Sequence, residues 1–266
     1  MGRSYTDIKY DLWYNLEKLG ISPGNIGLAV KCNPGGKTFS HGYLPIVGNN
    51  SLPFKHDKFQ CNGSSGLIDF GDILDEIFLS DFTFLSEFTA SSSGSGFDFI
   101  SGKEKTSANY VGVMFFIWGI STPRLTFRAT DQATQIFSLA SVRDDIEHIA
   151  IGTRSGSTNH LYLDGVFQST QSTTLASMPS VNFLMGYNNI ASEYHQGTLG
   201  TQLVLKGALS AYRVKKLSNI DIWKPRPDIS YFDQAAPPST LLQGNLSQSG
   251  SISRKATFNR SISGAL

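Results

Sequence analysis

The sequence predicts an all-β fold with one N-terminal helix and an extended C-terminal tail, and three observations support this. Residues 148–167 contain two β-type runs around a small polar loop at 154–159, followed at once by Asp164-Gly165. That pair favours a two-residue hairpin turn, because both turn residues need positive φ. Charged residues make up only 16% of the chain, and Gly and Ser are abundant, as in folds with many short strands. The longest apolar run, at 110–120, has the length of a strand, and no run approaches the ~20 residues that span a bilayer.

The first element along the chain is a helix over residues 5–19. Thr6 or Asp7 can cap its N-terminus, and Gly20 ends it. An apolar stripe at helical spacing, widened by Tyr10, Trp13 and Tyr14, consists of Ile8, Leu12, Leu16 and Leu19. The stripe must be buried, either against this domain or against a neighbouring subunit, and the sequence leaves both partners open.

Strands follow from residue 26 to residue 206. Their predicted ranges are 26–32, 55–61, 66–70, 82–90, 97–101, 110–119, 124–129, 135–141, 146–153, 160–164, 166–170, 181–187 and 198–206. We therefore divide the chain into a helical arm (1–24), a β domain (25–220), a Pro-rich linker (221–240) and a β-prone tail (241–266). Trp118 is expected in the core and Trp223 as an anchor of the linker.

Six segments in this order resemble pieces of concanavalin A-like, laminin-G-type jelly-roll domains. They are residues 59–71 with the turn Asn62-Gly63, the alternating run 81–88, the hairpins of 148–167, the run 183–187 containing Gly186, the run 197–205, and the short helix 208–217. The resemblance covers residues 25–220. It implies an antiparallel β-sandwich that serves mostly for recognition and only sometimes for catalysis. Calcium in rim loops is common among such domains, and Asp131, Asn188 and Asn189 are candidates by residue type alone.

The best candidate for a ligand-binding loop is residues 187–196, between two predicted strands. It combines aromatic rings with amide and carboxyl groups, the mixture that sugar recognition requires; the alternative is an ordinary surface loop. The candidate residues are Tyr187, Asn188, Asn189, Glu193, Tyr194 and His195.

No catalytic constellation is predicted. Glycoside hydrolases of this fold place two carboxylates on one strand, and the nearest match, residues 144–147 (Asp-Asp-Ile-Glu), has a solvated turn as its alternative. Residues 31–38 imitate the end of a phosphate-binding loop, but Pro34 interrupts the cradle and no helix follows, so a β-turn is the better interpretation. His148 and His160 could meet on neighbouring strands, yet no histidine has metal-ligand spacing. We expect no enzyme activity, no metal site and no cofactor.

Charge and cysteine content limit the partners. A formal net charge of +1 gives no electrostatic case for nucleic acid or for an anionic membrane. Residues 1–5 lack the beginning of a signal peptide, so we expect synthesis in a cytoplasm, with release inside a virus particle as one route out. Cys32 and Cys61 are either buried thiols or a disulfide, and the sequence does not decide between them.

The tail carries a repeat-like pattern. One apolar residue recurs every six positions, and another comes early: Leu246, Ile252, Phe258 and then Ile262. This tail is too polar to bury itself in a monomer, so we expect it to assemble with another copy of the chain or with a larger particle.

These features lead to one principal hypothesis and two alternatives. The principal one is a non-enzymatic structural or adhesion protein of a virus or phage particle, such as a capsid decoration or tail-fibre component. It would be displayed on the virion surface and form a homo-oligomer, for which we assume a trimer. It would contact other particle proteins and bind host glycans through the jelly roll. The alternatives are a free lectin-like carbohydrate-binding module and, less favoured, a glycoside hydrolase.

Overall fold

The computed structural model describes most of the chain up to residue 225. The described ranges are 5–32, 38–41, 47–48, 54–55, 58–64, 66–94, 96–105, 111–119, 122–130, 134–188 and 193–225. Most of the predicted linker and the whole tail, with Leu246, Ile252, Phe258 and Ile262, lie outside them. No helix within the described ranges is both long and apolar enough to cross a membrane.

Three α-helices, one 3-10 helix and eighteen strands are found in the described residues. The helices are α1 (Tyr5–Glu17), α2 (Asp75–Phe78), α3 (Ala211–Leu217) and the 3-10 helix Pro23–Asn25. The strands are β1 (Ile26–Cys32), β2 (Thr38–His41), β3 (Val47–Gly48), β4 (Phe54–Lys55), β5 (Lys58–Asn62), β6 (Ile68–Asp69), β7 (Phe82–Ala90), β8 (Asp98–Lys105), β9 (Val111–Trp118), β10 (Arg124–Thr130), β11 (Ile136–Ser141), β12 (Glu147–Ser155), β13 (Thr158–Leu163), β14 (Val166–Ser172), β15 (Leu184–Met185), β16 (Tyr187–Asn188), β17 (Glu193–Tyr194) and β18 (Gln196–Lys206).

The strands form two main antiparallel sheets. The first has nine strands, in the order β14-β13-β12-β7-β18-β1-β2, with β5 also paired to β18 and β4 to β5. The second has seven, in the order β11-β10-β9-β8-β15-β6-β3. The main core contains residues from both sheets, including Phe84 of β7, Phe115 of β9 and Phe127 of β10. The predicted antiparallel sandwich of jelly-roll type is therefore confirmed.

Several local predictions are confirmed and others are corrected. Strand β7 has the predicted bounds, and Asp164 and Gly165 turn between β13 and β14 with φ of 52° and 75°. The predicted polar loop 154–159 is wrong, because the strand pairing continues to Ser155 and Thr158 and leaves a two-residue turn. The predicted strand 181–187 is split, because Gly186 has a φ of 80° between β15 and β16.

Helix α1 packs against its own domain. Its residues Leu12 and Leu16 are fully buried in a second cluster on the outer face of the nine-stranded sheet, beside α3. Ile222 and Trp223 belong to the same cluster, so the packed part of the chain extends to Trp223. Of the two partners that the sequence left open for the helix, the structure shows its own domain.

Trp118 is the main correction in the core. Its side chain is 51% exposed, although the apolar run of β9 predicted burial. The run is apolar on both faces of the sheet: Phe115 and Ile117 point into the main core, whereas Phe116 packs in a separate cluster. Side chains alternate along a strand, so Trp118 shares the outer face with Phe116.

The structure also decides between the alternative interpretations of two sequence patterns. Strands β1 and β2 pair as a hairpin with Cys32 opposite Thr38, so the segment resembling a phosphate-binding loop joins two strands and leads into no helix; residues 33–37 themselves are outside the described ranges. His148 and His160 do not pair, since the cross-strand neighbour of His160 is Thr153.

Candidate ligand-binding face

The candidate site lies on the outer face of the seven-stranded sheet. In β10, Leu125, Phe127 and Ala129 belong to the main core. Arg124, which precedes Leu125, and Arg128, between Phe127 and Ala129, therefore face outward. This strict alternation of apolar and polar residues builds a polar, cationic stripe beside the aromatic outer face of β9.

Aromatic rings cover the centre of this face. Phe97 stacks on Phe116 with ring centroids 4.7 Å apart and an interplanar angle of 18°. Trp118 lies edge-on to Phe97 at 5.9 Å, and its cross-strand neighbour is the exposed Arg124. The outer aromatic cluster consists of Phe99, Met114, Phe116 and Leu184, with Phe97 and Tyr187 packed against it. Trp118 therefore presents an exposed aromatic ring beside a cationic side chain on this face.

The two candidate tyrosines form one unit. Strands β16 and β17 pair with Tyr187 opposite Tyr194 and Asn188 opposite Glu193, and this short hairpin lies against β8. The tyrosine rings stack with centroids 4.3 Å apart at 28°. Both side chains are half-buried, so the stacked pair presents aromatic surface to solvent.

A charged network fixes the position of the hairpin. Glu104 of β8 accepts hydrogen bonds from Arg128 at 2.6 Å and from Asn188 at 3.0 Å. Arg128 also donates to Gln135 Oε1 at 2.6 Å, and its guanidinium lies 5.0 Å from the centre of the Phe116 ring. Asn188 is buried, so this candidate residue acts by holding the hairpin on the sheet.

Glu193 is the electrostatically unusual residue of the hairpin. Its half-buried carboxyl has no hydrogen-bond or ion-pair partner among the described residues. Burial, followed by the negative charges of Glu104 and Asp98, raises the pKa of Glu193 to about 7. Burial also raises the pKa of Asp98 to about 6, in spite of its ion pair with Arg143 at 3.0 Å. Near neutral pH, Glu193 can therefore either donate or accept a hydrogen bond.

His195 does not belong to the accessible part of the site. Its side chain is fully buried, Nε2 lies 2.7 Å from the carbonyl oxygen of Thr89, and burial lowers its pKa to about 4. The neutral ring donates a hydrogen bond to that carbonyl. The prediction of His195 as a ligand contact is therefore wrong, because β18 begins at the next residue and directs this side chain inward. Asn189 lies outside the described residues.

The acidic residues around the start of β12 are engaged with neighbouring groups. Asp145 accepts a hydrogen bond from the backbone N–H of Ser92 at 3.1 Å, and Glu147 pairs with Lys58. His148 lies 2.8 Å from Asp164 and 3.3 Å from Asp144. Among the described residues, no group of three or more His, Cys, Asp or Glu side chains could hold a metal ion. The expectation of no metal site stays untested for calcium, since the candidates Asp131 and Asn189 are outside the described ranges.

The sequence missed Glu104, Arg128, Phe97 and the exposure of Trp118. The alternation in residues 124–130 could have placed Arg128 on an outer face. Glu104 had no such signal, because β8 contains an irregularity between Phe99 and Ser101 that shifts its register.

Comparisons with known proteins show the fold. No protein-family model matches the sequence, and no curated protein sequence matches it. A Trypanosoma rangeli sialidase in complex with 2,3-difluorosialic acid is similar over 74% of this chain and 33% of its own length, with 11% identity and a TM-score of 0.55. The binding domain of Paraclostridial Mosquitocidal Protein 1 is similar over 75% of this chain and 55% of its own, with 13% identity and a TM-score of 0.55. The binding domain of botulinum neurotoxin serotype D is similar over 73% and 51%, with 10% identity and a TM-score of 0.53.

These matches show the class of fold, a jelly-roll β-sandwich. The chain spans about a third of the sialidase and about half of each toxin chain that it resembles.

Proposed function

We propose that this domain is a non-enzymatic saccharide-binding module and that it binds through the outer face of the seven-stranded sheet. The observation that carries the proposal is the stacked pair Tyr187–Tyr194, in a hairpin that also contains the unpartnered carboxyl of Glu193. We call the surface formed by Tyr187, Tyr194, Glu193 and Trp118 the tyrosine face. The proposal includes no cofactor.

The chemistry of a sugar ring matches this surface. A pyranose has an apolar C–H face, which packs on aromatic rings, and a rim of hydroxyl groups, each of which both donates and accepts hydrogen bonds. Glu193 supplies a carboxyl that works in either direction near neutral pH. Arg124, exposed next to Trp118, adds a donor.

The fold comparison supports the proposal only at the level of the scaffold. The similar chains include a sialidase in complex with 2,3-difluorosialic acid and two binding domains of toxins. At identities of 10–13%, the ligand of a similar chain does not transfer. The proposal therefore rests on the residues of the tyrosine face.

The test is a glycan array with the full chain, followed by calorimetry on the best ligand. We expect Tyr194→Ala to weaken binding about tenfold or more, because stacking surface is lost. Tyr212→Ala is the matched control, since Tyr212 is a 67% exposed tyrosine on α3, away from this face. Equal affinities for the two variants, or an array without ligands, would reject the proposal. Turnover of any bound glycan would reject its non-enzymatic part.

The wider biological setting remains a proposal from the sequence. We propose that the module belongs to a virus or phage particle and that its tail, with the six-residue spacing of Leu246, Ile252 and Phe258, joins copies together. The test compares the solution mass of the full chain with that of a chain ending at Pro225. This end point keeps the buried residues Ile222 and Trp223. A monomer in both cases would reject assembly through the tail.

A further inference from the structure

A cleft of about 620 Å³ lies on the outer face of the nine-stranded sheet, on the opposite side of the sandwich from the tyrosine face. Its floor comes from β5, β7, β12 and β18, and its wall is residues 217–223, at and after the end of α3. Its volume falls in the range of about 300–1,000 Å³ that is typical of small-molecule sites.

The floor carries a three-membered ion network. Lys58 lies between Glu87, at 2.9 Å, and Glu147, to which it also donates a hydrogen bond. Glu87 is held in place by the backbone N–H of Thr201 at 3.1 Å. Gly200 makes room for this carboxylate, because a Cβ at that position would lie 2.6 Å from its carbon atom. The polar floor is therefore rigid and partly desolvated.

The wall is fixed before any ligand arrives. The indole Nε1 of Trp223 donates to Thr201 Oγ1 at 2.9 Å. The buried Asn15 of α1 donates to the carbonyl oxygens of Ile222 at 3.2 Å and of Lys224 at 2.8 Å. A pre-formed wall lowers the ordering cost of binding.

The lining selects the class of ligand. An anion would meet the carboxylates of Glu87 and Glu147, and a cation would meet Lys58 and Lys31. An uncharged molecule that both donates and accepts hydrogen bonds can bind the carboxylates and the ammonium groups at the same time. Ile149 and Ile220 add apolar surface for a C–H face. We infer that this cleft is a second saccharide site, selective for neutral sugars.

This inference does not depend on the tyrosine face, and the chain contains a reporter for each site. Its three tryptophans include Trp223, which lines the cleft, and Trp118, on the tyrosine face. In ¹H–¹⁵N spectra of the full chain, each indole gives a separate signal. The probes are neutral hexasaccharides (maltohexaose, cellohexaose, xylohexaose and mannohexaose), with hexagalacturonate and the glucosamine hexamer as charged probes.

We expect at least one neutral probe, and neither charged probe, to shift the Trp223 indole signal in a saturable way. Glu87→Gln and Glu147→Gln should each weaken that titration about tenfold, since each removes a charged hydrogen-bond acceptor. Glu147 is half-exposed, so its variant keeps the test valid if Glu87→Gln fails to fold. The matched control is Glu76→Gln, at an exposed glutamate on α2 outside the cleft.

The outcomes separate the two proposals. A shift of Trp118 without any shift of Trp223 overturns this inference and leaves the tyrosine face intact; the reverse result leaves only the cleft. The inference is also overturned if no neutral probe moves Trp223, if charged probes alone move it, or if both cleft variants titrate as the wild type does.

Discussion

Replacing Glu193 by Gln tests the electrostatics of the tyrosine face, because it removes a titrating carboxyl and keeps its shape. In the folded protein the pKa is about 7, against an ordinary value of 4.5. Between these pH values the folded state holds the proton and the unfolded chain has released it. Wild-type stability therefore falls as pH rises through this window, and the loss is complete above pH 7.

The magnitude follows from the two pKa values. A difference of about 2.5 pH units corresponds to about 3 kcal/mol at pH 8. Glu193 keeps part of its contact with water, so solvent screening reduces this to about 1–2 kcal/mol. Glu193→Gln should recover that amount at pH 8 and little at pH 5. A change of this size shifts the Tm of a chain this long by roughly 2–8 °C.

The assay is urea denaturation followed by tryptophan fluorescence at pH 5, 6, 7 and 8. Asp98 titrates in both proteins, so most of its own contribution cancels in the difference between them. Glu76→Gln serves as the control, because it removes an exposed glutamate of α2. If wild type and Glu193→Gln lose stability in parallel between pH 5 and pH 8, Glu193 has a partner or full solvation, and the reasoning is refuted.

Three further predictions concern stability and exposure. Gly112→Ala should lower the free energy of unfolding by about 3 kcal/mol or more, because φ is 150° and a Cβ would lie 2.0 Å from the Lys103 carbonyl oxygen. An unchanged free energy of unfolding in urea denaturation would contradict this. Asn15→Ala should lower the free energy of unfolding by about 1–3 kcal/mol, because it removes two hydrogen bonds to residues 222–224. An unchanged Tm would mean that these hydrogen bonds do not stabilise the fold. Trp118→Phe should remove most acrylamide-accessible fluorescence, and unchanged quenching would mean that Trp118 is buried.

Much of the fold could be read from the sequence because its signals are local. The alternation in β7 and the Asp164-Gly165 turn each depend on the chain's own geometry, and both are confirmed. The split of the 181–187 strand could not be predicted, because it depends on Gly186 lying close to a distant segment: a Cβ there would come within 2.9 Å of the Gly66 carbonyl oxygen.

The candidate site shows the same division. A mixture of aromatic and polar residues within ten positions located the tyrosine hairpin. The direction in which each side chain points was harder to predict. His195 points inward and Trp118 outward, because each follows the register of its strand. The support from Glu104 depends on pairing between segments far apart in the chain, which a single sequence does not show.

The contact between α1 and the 222–224 segment has a consequence for how the molecule is made. The hydrogen bond from Asn15 to Ile222 joins residues 207 positions apart. On the ribosome, α1 is synthesised long before residues 222–224, which clamp it, have emerged. Until residues 222 and 223 have emerged, Leu12 and Leu16 lack part of the apolar cluster in which they are buried. Contacts of such sequence separation form slowly, so docking of α1 is expected to be a late step of folding, and the nascent chain has to keep this apolar stripe from aggregating.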